Sequence, residues 1–105
     1  MRVLLTGGAG LLGARLAVDA PAGVDLHRTW RRTPPDAGDQ GVDVGAGEWH
    51  QVDLADREAT VALVTRVAPD LVIHTAYATA DGERHIVAAT THVATAASAV
   101  GADPR

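Results

Sequence analysis

Glycines near the start of the chain have the spacing of an anion cradle. Gly8-x-Gly10-x-x-Gly13 fits the dinucleotide pattern G-x-G-x-x-G, and Gly7-x-x-Gly10-x-x-Gly13 fits a second spacing equally well. Both rest on the same physics. The chain must leave a strand sharply, which needs unusual φ/ψ, and the backbone must come close to a pyrophosphate, where a side chain would collide. The last glycine leaves room for the following helix to pack closely. The helix N-terminus then offers unpaired N–H groups and a partial positive charge to phosphate. No Gly-Lys-Ser/Thr follows, so a P-loop is excluded.

A nucleotide held there would meet residues further along. In dinucleotide folds an acid about 20 residues on takes the ribose 2′-OH of NAD. Here the segment reads Arg28-Thr29-Trp30-Arg31-Arg32, and the nearby acid, Asp25, stands at the wrong end of the strand. Guanidinium forks suit a 2′-phosphate, so NADP(H) is preferred, with NAD(H) possible. A solvated basic face would look the same. Trp30 would stack near the adenine or an arginine, or cover the sheet edge. Asp53 follows a strand and precedes a helix. It would accept the adenine amino group or help cap that helix. His74-Thr75-Ala76-Tyr77-Ala78 leaves another strand, and its small residues would let ribose and pyrophosphate lie against the backbone. His74 reads first as a strand-end histidine and only second as a catalyst. The five histidines (His27, His50, His74, His85, His92) show no paired ligand spacing along the chain, so no metal is expected.

These residues need elements to carry them. Arg2 to Leu5 reads as a strand running into the glycine turn, and Leu11 to Ala20 as a helix closed by Pro21. Val24 to Trp30 alternates as a second strand. Thr33 to Gly47 holds Pro34, Pro35, four glycines and three Asp, and reads as a long flexible loop. Trp49 to Asp53 gives a third strand. Asp56 is a candidate N-cap for a helix with Val61, Val64, Val67 and Ala68 on one face and Pro69 as its stop. Leu71 to Ala76 is a fourth strand, apolar enough at its start to be buried on both faces. Ala88 to Gly101 reads as a helix. Ala102 to Arg105 reads as a helix-to-strand turn with no strand after it. Strands alternating with helices predict an α/β, doubly wound parallel sheet. With the usual order 3-2-1-4, the fourth strand would be an exposed edge, open to self-association.

Composition narrows the classes. The chain has 105 residues, enough for one domain or part of one. Hydrophobic residues make up 47% and there is no Phe, so the core must be Val, Leu and Ala. A net charge of −4 argues against a nucleic-acid binder. The absence of Cys excludes disulfides, thiolate zinc sites and Cys nucleophiles. No apolar run is long enough to span a membrane, and Met1-Arg2-Val3 leaves no room for a signal peptide, so the expected location is the cytoplasm.

Thr6-Gly7-Gly8-Ala9-Gly10-Leu11-Leu12-Gly13 resembles the T-G-x-x-G-x-x-G motif of the extended short-chain dehydrogenase/reductases. Asp53-Leu54 is similar to that family's adenine-side acidic motif, and His74-Thr75-Ala76-Tyr77-Ala78 to a divergent form of its N-A-A-x motif. The resemblance implies a Rossmann-like domain over 1–105, here the N-terminal part, with no length left for a substrate domain. It carries cofactor contacts onto Gly7, Gly10, Leu11, Leu12, Gly13, Trp30, Arg31, Arg32, Asp53, Leu54, Thr75, Ala76 and Tyr77. Within the family the start is most similar to dTDP-4-dehydrorhamnose reductases and related sugar-nucleotide-binding proteins. That implies hydride transfer from NADPH to a 4-keto nucleotide-sugar. The family's catalysis needs a Tyr-x-x-x-Lys pair, in which the tyrosine is the acid. The single tyrosine, Tyr77, is followed four residues later by Asp81, and the chain contains no lysine. No catalytic residue is therefore assigned. The readings that stand are the cofactor-binding part of a reductase or epimerase, a non-catalytic dinucleotide-binding module, and a non-functional fragment.

Overall fold

Period-two alternation along the first strand sorts the core into two layers. In a computed structural model that describes residues 1–8, 11–31, 47–75 and 82–104, this strand is β1 (Arg2–Thr6). It is followed by α1 (Leu11–Val18), β2 (Asp25–Trp30), β3 (Glu48–Gln51), α2 (Arg57–Val67), β4 (Leu71–His74), α3 (Gly82–Ala99) and β5 (Asp103–Pro104). Val3 and Leu5 pack with Leu26 and with Leu16 and Ala17 of α1. Leu4 faces the other way, into a larger cluster with Val72, Leu63, Val64 and Val67 of α2, and Ala89, Val93, Ala96 and Ala97 of α3. Helices thus cover both faces of the sheet.

All strand pairs are parallel, in the order β3-β2-β1-β4-β5. The expected 3-2-1-4 core is present. The strand-free ending is not. Gly101, at φ 75°, closes α3 with Gly101 N donating to Ser98 O and Ala102 N to Ala97 O. This is a Schellman ending, with Ala97 and Ala102 buried against it. It delivers Asp103 and Pro104 beside β4 in register with Leu71 and Val72. The first half of β4 is therefore paired, not an open edge.

Element boundaries also differ from expectation, with β3 at Glu48–Gln51 and β4 ending at His74. Helix α3 begins at Gly82, ahead of the expected Ala88, and α1 ends at Val18, short of Ala20. On α2, capped as expected by Asp56, the buried face is Thr60, Leu63, Val64 and Val67. Val61 is exposed, and Ala68 is the left-handed C-cap. Thr60 replaces Val61 in the core because its hydroxyl is satisfied locally, by Leu54 O and Asp56 O. Most of the expected 33–47 loop lies outside the described residues. Among the described residues no helix is long and apolar enough to cross a membrane.

Candidate functional site

The C-terminal ends of β1, β2, β3 and β4 form one rim of the sheet, and the chain reverses order across β1 and β4. Ligands of open α/β sheets bind at such a switch point. β1 ends in Thr6, and Gly7 follows at φ 65°, in the left-handed region that favours glycine. The turn is tied to the end of β2. Gly7 N donates to Thr29 Oγ1 at 3.1 Å, Gly8 N to Thr29 O at 3.0 Å, and Arg28 Nη2 donates to Gly8 O at 2.6 Å. A Cβ on Gly8 would lie 2.6 Å from Arg28 Cβ. A Cβ on Gly13 would lie 2.7 Å from Gly8 Cα and closer still to the Gly7 carbonyl oxygen. Both glycines are thus required by packing of the turn on its own helix and strand.

The β1–β4 side of the rim is a hydrogen-bonded cluster. Thr6 Oγ1 accepts from Thr75 N at 3.0 Å and contacts His74 Nδ1 at 2.7 Å. Thr75 Oγ1 donates to Thr6 O at 2.6 Å. His74 Nε2 lies 3.1 Å from Thr90 Oγ1 on α3. A neutral ring with its proton on Nε2 satisfies both contacts, and burial pushes the His74 pKa below the usual histidine value. His74 is therefore a clasp between β1, β4 and α3.

On the β2–β3 side, Arg31 Nε lies 3.6 Å from Asp53 Oδ1. Asp53 Oδ1 also accepts from Ala55 N, while Asp56 Oδ1 accepts from Ala59 N as the α2 cap. Asp53 thus shapes the approach to α2 and pairs with Arg31. Trp30 is half-buried. The tryptophan that stacks on an arginine is Trp49, with Arg28 Cζ 3.9 Å from its ring centroid. Arg28, fully buried, is the residue that sequence reasoning missed. Its signal was an arginine inside a strand that also carries the turn's anchoring threonine. Asp25 stands at the opposite end, beside Arg2, which with His27 holds its carboxyl below the usual range.

The structure brings Gly7, Gly13, Arg31, Asp53 and Thr75 to this rim. Leu54 is a core residue and Leu12 is exposed. Gly10, Arg32, Ala76 and Tyr77, together with the Leu11 side chain, lie outside the described residues. The histidines show no paired ligand spacing along the chain, but spacing along the chain does not describe their positions in the sheet. Histidines unpaired along the chain become neighbours when β2 pairs with β3, and His27, Glu48 and His50 together offer three ligand atoms.

A parallel sheet of this order, with helices on both faces, defines a Rossmann-like fold. Residues 3–100 match the NAD dependent epimerase/dehydratase family, and the chain belongs to that family. A search of curated proteins finds no match. Among solved structures, the Bordetella bronchiseptica enzyme WbmG in complex with NAD aligns at 25% identity and TM-score 0.77, over 97% of this chain and 35% of that one. A Thermus thermophilus UDP-glucose 4-epimerase complex with NAD aligns at 23% identity and TM-score 0.77, over 96% and 35%. The Bifidobacterium longum UDP-glucose 4-epimerase, in complex with NAD+ and UDP, aligns at 16% and 0.76, over 95% and 34%. This chain spans about a third of the length of these neighbours.

Proposed function

We propose that this chain binds a nicotinamide dinucleotide as the cofactor-holding part of an enzyme acting on a nucleotide-sugar. The observation that carries the reading is the glycine turn fixed to β2 ahead of α1, whose free N-terminal N–H groups would suit a pyrophosphate. WbmG, at 25% identity, was solved with NAD and also with NAD and UDP, which supports this ligand class. The finer reading is hydride transfer with NADP(H), of the kind dTDP-4-dehydrorhamnose reductases perform. Arg31 supports the 2′-phosphate assignment, because it occupies the end of β2 where an NAD-type fold would carry an acid. Asp53 would have to share Arg31 with that phosphate.

No Tyr-x-x-x-Lys pair occurs in the 105 residues, so this reading gives them cofactor binding and assigns them no catalytic acid. The same fact favours a second reading, a dinucleotide-binding module without chemistry. Titration with NADPH and NADH separates the outcomes. Saturable binding of either supports the dinucleotide reading, and binding of neither overturns it. Arg31→Ala should weaken NADPH at least tenfold more than NADH. Equal losses would overturn the NADP preference alone. Turnover of a 4-keto nucleotide-sugar by the chain alone would rule out the non-catalytic module.

A further inference from the structure

Parallel pairing of β2 with β3 gathers four polar side chains on one sheet face, with His50 in register with Thr29, the anchor of the glycine turn. His27 is in register with Glu48, and Asp25 and His50 stand two residues from each on the same face. His27 Nδ1 lies 3.0 Å from His50 Nε2 and 3.3 Å from Glu48 Oε2, and His50 Nε2 lies 4.0 Å from Glu48 Oε2. Three atoms with these separations share a central point about 2.0 Å from each, the bond length of zinc to imidazole nitrogen or carboxylate oxygen.

A second observation concerns the far side of His27. Its Nε2 is buried, and among the described residues it is in ion-pair range of the Asp25 carboxylate without a hydrogen bond of good geometry. It lies 3.3 Å from Asp25 Oδ1, and Arg2 Nε holds the other Asp25 oxygen at 3.0 Å. A metal-bound histidine characteristically turns its remaining N–H toward a carboxylate, which fixes the tautomer and strengthens the ligand. With the proton on Nε2, His27 presents its Nδ1 lone pair to Glu48 and His50.

We propose that His27, Glu48 and His50 bind one divalent transition-metal ion of the zinc class, with Asp25 orienting His27. Two imidazoles and one carboxylate suit such an ion better than magnesium or calcium, which prefer all-oxygen sites. The two imidazole side chains are nearly buried, whereas the Glu48 side chain is exposed. The ion would tie β3 to β2 between residues 23 positions apart in sequence.

The test titrates metal-free 105-residue chain with zinc chloride at pH 7.5 by calorimetry, without dinucleotide. One zinc per chain is expected, with Kd below about 100 µM. His27→Gln, His50→Gln and Glu48→Gln should each weaken binding at least tenfold, and Asp25→Asn about tenfold. His92→Gln, on α3, should leave it unchanged. Glu48 is exposed, so Glu48→Gln carries the test even where a buried histidine variant fails to fold, and circular dichroism checks each variant. Kd above about 100 µM, or equal loss in His92→Gln, overturns the proposal and leaves a hydrogen-bonded histidine pair.

Discussion

Gly13 is a position where the fold accepts no side chain. The atoms that a Cβ would strike are backbone atoms of Gly7 and Gly8, which cannot swing aside as a flexible side chain can. Gly13→Ala should cost about 1–3 kcal/mol in urea unfolding and weaken dinucleotide binding at least tenfold, because the turn itself must shift. Unchanged stability and affinity would refute the close approach. His74 gives the residue-scale pH dependence. Burial lowers its pKa, so below the ordinary histidine value of about 6.5 the unfolded chain binds more protons than the folded one. Its contribution is full above that pH and is lost as pH falls below it. His50, also lowered chiefly by burial, adds the same sign. His74→Asn should flatten part of the fall in urea midpoint between pH 7 and 5. An unchanged slope would show that His74 is not held neutral.

The elements hold the rim through their ends. α2 starts where Asp56 accepts from Ala59 N, and its first turn follows directly from Asp53. Asp56→Ala should cost about 1 kcal/mol of stability, read by urea denaturation, with little change in dinucleotide affinity, since its carboxylate caps the helix. A large affinity loss would mean that α2's start is coupled to the ligand. α3 shows why boundaries were harder to read than element types. Gly82 and the charged Glu83 and Arg84 carry no apolar periodicity, yet they begin the helix. At its other end, two residues of strand with a proline give almost no sequence signal, and β5 is defined only by its pairing with β4.

Across the whole molecule, five of the buried apolar residues described are alanine, and the chain has no Phe to fill space between layers. We expect the chain alone to melt below about 60 °C, and NADPH at about one hundred times its Kd to add roughly 2.7 kcal/mol of stability, a rise of several degrees. A sharp melt well above 60 °C, or no shift with NADPH or NADH, would contradict this. Much of the fold was legible beforehand. The glycine spacing and the alternating strands and helices follow from local rules that a single segment obeys by itself: left-handed φ at glycine, caps, and the period of apolar residues. What only the tertiary structure decided is which distant polar groups meet. Arg28 on the Gly8 carbonyl, Arg31 beside Asp53, and His27 against His50 all depend on strand register. Register is fixed by backbone pairing and by burial summed over the whole sheet, and no one segment carries that information alone.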